Sequence, residues 1–68
     1  MNNIESIYKR ISKKAKERIS NYAKAHDRNM IELTLTPFIK RYFKVGCMSA
    51  IPNCDEIVNA LYDRVLTK

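Results

Sequence analysis

The stretch Met30-Ile31-Glu32-Leu33-Thr34-Leu35-Thr36-Pro37-Phe38-Ile39-Lys40-Arg41-Tyr42-Phe43 constrains the fold more than any other. It carries two competing periods. Ile31, Leu33 and Leu35 alternate with Glu32, Thr34 and Thr36, which is the pattern of a strand with one apolar face. From Thr36 the rhythm changes. Thr36 suits an N-cap, Pro37 suits the first helical position, and Phe38, Ile39, Tyr42 and Phe43 recur at helical spacing. The same letters also fit one uninterrupted helix through Ile31, Leu35, Phe38, Ile39, Tyr42 and Phe43. Pro37 would then lie inside it and cost roughly 3 kcal/mol. The β-propensity of Thr34 and Thr36, and Thr-Pro as a helix start, favour a strand that runs into a helix.

The chain has 68 residues, enough for one domain, residues 1–68. A chain of this size buries only about 60% of its unfolded surface, so a second copy is the natural way to enlarge the core. Covalent and metal staples are scarce. Cys47, Cys54 and His26 are the only thiols and imidazole. Their spacing matches no common zinc motif and makes no disulfide framework, so neither a metal nor a cofactor is expected. Two reduced thiols in a cytoplasmic protein are the expected state. No apolar run resembles a signal peptide or a membrane span. With 46% hydrophobic residues and one glycine, the composition is that of an ordered helical protein.

Residues 3 to 27 read as one long amphipathic helix. Ile4, Ile7, Tyr8, Ile11, Ala15, Ile19, Tyr22, Ala23 and His26 follow the helical rhythm within an arc of roughly 160°. Asn2 or Asn3 suits the cap, and Asp27-Arg28-Asn29 suits the stop. A strand over Ile7-Tyr8-Lys9-Arg10-Ile11-Ser12 followed by a helix from Ser12 is the competing pattern. The continuous period across Ile11 and Ala15 argues against it. Lys9, Arg10, Lys13, Lys14, Lys16 and Lys24 occupy the opposite face. Residues 1–28 hold eight Lys/Arg against three Asp/Glu, or +5 of the chain's net +6. Such a stripe is either a solvated face that keeps the protein soluble or a track for a polyanion. The apolar side lacks Trp and Phe and is thinned by alanines, so a membrane partner is not expected.

Further along, Lys40, Arg41 and Lys44 lie on the outer side of the next helix, and Gly46 suits its C-cap. Residues 47–52 form a connector whose Met48 and Ile51 are expected to pack on the core. A last helix is expected from about Asp55 to Leu66. Asn53 would cap it, Asp55 and Glu56 would lie in its first turn, and Ile57, Val58, Leu61 and Val65 would be buried.

Residues 30–66 thus read strand, helix, turn, helix. Three features carry a resemblance: the alternating run Ile31-Glu32-Leu33-Thr34-Leu35-Thr36-Pro37, the glycine-bearing break, and Asn53-Cys54-Asp55-Glu56-Ile57-Val58-Asn59-Ala60-Leu61. Together they resemble the ribbon-helix-helix family of dimeric DNA-binding regulators, of the Arc and Mnt repressor type. The resemblance implies a mainly α homodimer whose paired strands enter the major groove. Glu32 and Thr34, with Met30 or Thr36, would then face the bases. Ile31, Leu33, Leu35, Phe38, Ile39, Tyr42, Ile57, Leu61 and Val65 would form the dimer core. The helix start at Asn53 would face a phosphate, and the basic N-terminal helix would add Lys9, Arg10, Lys13, Lys14, Lys16 and Lys24. Glu32 departs from the usual basic or amide residues of such strands, and the N-terminal helix is an addition to the minimal family.

No paired carboxylates, nucleophile elbow or glycine-rich phosphate loop are present, so an enzyme is not expected. The alternative to a DNA-binding transcriptional regulator is an all-α three-helix bundle. It would be a small phage- or plasmid-type interaction protein that binds and inhibits an acidic host protein or complex. Tyr8, Tyr42 and Tyr62 would be its contact anchors.

Overall fold

The computed structural model describes residues 3–67. They form four helices: α1 (Asn3–Arg10), α2 (Lys13–Lys24), α3 (Arg28–Phe43) and α4 (Cys54–Thr67), with a 3₁₀ turn (Met48–Ala50) before the last. Among the described residues there is no strand. The fold is all-α, as the bundle alternative expects, and the strand of residues 30–36 is corrected to helix.

The reason lies in Leu33. Strand alternation puts Ile31, Leu33 and Leu35 on one side, whereas a helix puts Leu33 about 200° away from both neighbours. Ile31, Leu35 and Ile39 are buried, one per turn of α3, while Leu33 is 64% exposed. The threonines that favoured a strand are accommodated by back-bonding. Thr34 Oγ1 donates to the Met30 carbonyl (2.7 Å) and Thr36 Oγ1 to the Glu32 carbonyl (2.8 Å). Pro37 is inside the helix. Its missing N–H would have bonded the Leu33 carbonyl, and both residues are exposed. Water can therefore reach the freed acceptor, which lowers the cost of the proline.

The expected single helix over residues 3–27 is two helices. Ser12 takes an extended conformation (φ −65°, ψ 155°) and its Oγ accepts from the Ala15 N–H at 3.1 Å, an N-cap that starts α2. The break leaves the apolar face continuous, because Ile7, Ile11, Ala15 and Ile19 all remain buried. The Asn2 alternative for the first cap lies outside the described residues. Residues 7–12 contain no strand, although a helix does begin beyond Ser12.

The corners are made by left-handed residues other than glycine: His26 (φ 57°), Lys44 (φ 58°) and Asn53 (φ 60°). At the first corner the Asp27 N–H donates to the Tyr22 carbonyl (2.9 Å) and the His26 N–H to the Ala23 carbonyl (3.1 Å), a Schellman closure. His26 is thereby lifted off the apolar stripe and exposed. Asp27, expected to stop the first helix, caps the next by accepting from the Met30 N–H. Lys44, not Gly46, ends α3, with the Val45 N–H bonded to the Lys40 carbonyl at 3.1 Å. Before α4, the Asn53 carbonyl accepts from the Ile57 N–H (3.1 Å).

A three-residue turn makes α2 and α3 antiparallel neighbours, and α4 packs against α1 and α2. The core joins Ile7, Ile11, Ala15, Ile19, Ile31, Leu35, Ile39, Ile51, Val58, Leu61 and Val65, with Met48 partly buried against it. Of the proposed dimer core, Ile31, Leu35, Leu61 and Val65 are buried within one chain, Phe38 and Ile57 are partly buried there, and Leu33 points outward.

Candidate polyanion-binding surface

The cationic surface follows from the two periods of α2. Ala15 and Ile19 face the core. On a helix turning about 100° per residue, Lys13, Lys14, Glu17, Arg18, Asn21 and Lys24 then share an arc of roughly 140° on the far side, and all six are exposed. α2 carries five Lys/Arg against one Glu. Its first turn holds no acidic residue, so Lys13, Lys14 and Lys16 add their charge to the positive end of the helix dipole. Lys9 and Arg10 close α1 just before it and are also exposed. Among the described residues the only ion pair is Arg64 with Glu5. The α2 cations therefore carry no carboxylate partner. Arg18 was missed as a member of this face, although its position four residues after Lys14 marks it.

Tyr8 organises one side of this surface. Lys16 Nζ lies 3.8 Å from the centre of its ring, and the Arg64 guanidinium carbon 4.1 Å from it. Arg64 is held in place by the Glu5 carboxylate through Nε, with a longer bond of 3.5 Å through its terminal nitrogen. The hydrogen bond from Arg64 to Glu5 also raises the arginine's pKa above its ordinary value. Glu5 thus serves an α1–α4 link as well as the first turn of α1. Arg10 lies over the Tyr42 ring at 5.3 Å, and the Tyr42 hydroxyl donates to Asn3 Oδ1 at 3.3 Å. Tyr8, Tyr42 and Tyr62 are half-buried against the core.

Two clefts flank α2 on its α4 side. One, of about 500 Å³, sets Lys13, Lys16, Glu17, Ser20 and Asn21 opposite Tyr8 and Val65. The other, of about 440 Å³, sets Ser20, Ala23 and Lys24 opposite Tyr62, Val65 and Leu66. Lys13, Lys16 and Lys24 are thus brought to one side of the molecule. Lys9, Arg10 and Lys14 lie outside both clefts.

The remaining expected site residues do not join this surface. Asn53 is exposed and lines a separate cleft with Ile4, Phe43, Ile51 and Glu56. Glu32, Thr34 and Thr36 are half-buried along α3, and the two hydroxyls are engaged with helix carbonyls. They form no ribbon for a DNA groove. Cys47 is exposed, its Sγ is 2.9 Å from Ser49 Oγ, and hydrogen bonding to Ser49 lowers its pKa. Among the described residues no group of three His, Cys, Asp or Glu side chains is placed to hold a metal, and no helix is long and apolar enough to cross a membrane. Compared with protein-family models, curated proteins and solved structures, the chain matches none.

Proposed function

We propose that this chain is a non-catalytic binding protein that docks on an acidic protein through the cationic surface of α1 and α2. The observation that carries this reading is α2 itself: five cations on twelve residues, none of them neutralised by an ion pair. Carrying unpaired charge at the positive end of a helix works against stability, so a partner that supplies carboxylates gains from it. Apolar and aromatic side chains, Leu66, Tyr62 and Tyr8, stand beside the lysines. That mixture suits a protein surface, where aromatic anchors and charge act together.

Duplex DNA is the second reading, favoured by the share of the net charge held in residues 1–28. It would rest on phosphates alone and carry no sequence readout, since α3 offers no ribbon. Titrating the full chain with poly-L-glutamate and with a random DNA duplex, each over a salt series, compares the two. The triple variant Lys9→Gln, Lys13→Gln, Lys14→Gln removes exposed cations without disturbing the Lys16–Tyr8 contact. It is expected to lose about tenfold or more of its polyglutamate affinity at low salt. Tighter binding of DNA, with a salt slope of about −0.9 per contacted phosphate, would move the function to the second reading. Unchanged affinity of the variant for both polymers would refute the cationic surface as a binding site.

A further inference from the structure

We infer that the groove between α2 and α4 is the docking site for an acidic amphipathic helix of a protein partner. This rests on the reading of the chain as an acidic-protein binder and names where and how the partner sits. The two clefts beside α2 share Ser20 and Val65, so they make one groove. It follows α2 from Lys13 to Lys24, which at 1.5 Å per residue is about 16 Å, or three helical turns.

The groove is two-sided in its chemistry. Its α2 wall carries Lys13, Lys16 and Lys24 with one acid, Glu17. Its α4 wall carries Leu66, which is 45% exposed, and Tyr62. Val65 and Ala23 lie between them, and Tyr8 closes one end. An occupant that satisfies both walls has carboxylates along one edge and apolar residues at i, i+3 or i+4, and i+7. Phosphates would meet the lysines but leave the apolar wall of Tyr62 and Leu66 unused. Charge and apolar complementarity together therefore select an acidic amphipathic helix over a nucleic acid.

The test uses the full chain and a fluorescein-labelled synthetic helix with leucines at i, i+4 and i+7 and glutamates on one flank. Amide chemical shifts of Ser20, Ala23, Val65 and Leu66 are expected to move on titration, with those of Asn29 and Leu33 on the far stripe of α3 unmoved. Leu66→Ser alters an exposed side chain and is expected to keep the circular dichroism and melting of the parent while weakening the peptide about tenfold. Replacing the peptide's glutamates by glutamine is expected to weaken it by a similar factor and to remove its salt dependence. If Leu66→Ser binds like the parent while Lys13→Gln/Lys24→Gln is weakened, acidic binding stands and the groove assignment falls. If neither variant changes binding, both fall. Displacement of the peptide by DNA with shifts confined to the lysines, or peptide-independent self-association through Leu66, would also overturn the assignment.

Discussion

His26 and Lys44 hold left-handed backbone that glycine would hold at lower cost, a penalty of about 1 kcal/mol or more for a residue with a Cβ. His26→Gly relieves that strain but adds freedom to the unfolded chain, so a net gain of a few tenths to about 1 kcal/mol is expected. Urea denaturation measures it, and a loss of stability would mean that position 26 is not left-handed in solution. Neither corner was legible from its own letter. His26 fits the apolar spacing of the preceding helix, and only the bonds from Asp27 and His26 back to Tyr22 and Ala23 turn it outward. Gly46, the letter that promised a cap, is not at positive φ. Hydrogen bonding to Ser49 lowers the Cys47 pKa, so more thiolate is present at a given pH. Cys47 is expected to be alkylated by iodoacetamide faster than the half-buried Cys54 at neutral pH. Ser49→Ala should move the pH dependence of the Cys47 rate upward; an unmoved profile would exclude the Ser49 contact.

Each helix of the molecule was visible as an apolar period, but the element at residues 30–36 and the break inside residues 3–27 were misread, for different reasons. In residues 31–36 three apolar letters satisfy period two, and two of the three also satisfy a helix. The element is decided by Ile39, which extends the Ile31–Leu35 stripe by another turn, and by packing of that stripe on α2 and α4. Mutation separates the alternatives. Leu35→Ala is expected to cost about 2–5 kcal/mol, whereas Leu33→Ala, on the exposed side, should stay within about 0.5 kcal/mol. Equal losses at both positions in thermal denaturation would restore the strand. Between α1 and α2 the apolar face continues straight through the break, so periodicity could not reveal it. The signal was Ser12, a capping residue inside an apparent helix, and Ser12→Ala should cost about 1 kcal/mol. The cationic stripe was legible because charge needs no packing to be read. Its lysines at the start of α2 oppose the dipole, and this ties stability to binding. Lys13→Glu is expected to raise stability by about 0.3–1 kcal/mol while weakening polyglutamate binding. A gain in stability with binding untouched would make the stripe a solubility feature only.

For the whole molecule the question is whether one chain suffices. A compact domain of 68 residues should have a radius of gyration of about 11 Å, and the Cα radius here is 11.1 Å. The side chains expected to meet a twin chain instead meet each other: Ile31 and Leu35 of α3 join Leu61 and Val65 of α4 in a single intramolecular core. A strand over residues 30–36 would need a partner for its backbone hydrogen bonds. In α3 the backbone is bonded within its own helix, and that requirement disappears. Among the described residues the large apolar side chains left exposed are Leu33 and Leu66, on different helices, less than an obligate interface presents. Folding is therefore expected to be unimolecular. Its thermal midpoint should not move when the protein is diluted roughly a hundredfold, because only association makes that midpoint depend on concentration. Sedimentation should give the mass of one chain at both ends of that range. A midpoint that falls on dilution, together with loss of helical circular dichroism, would show that the core closes only between two copies, and the groove beside α2 would then have to be sought in the dimer.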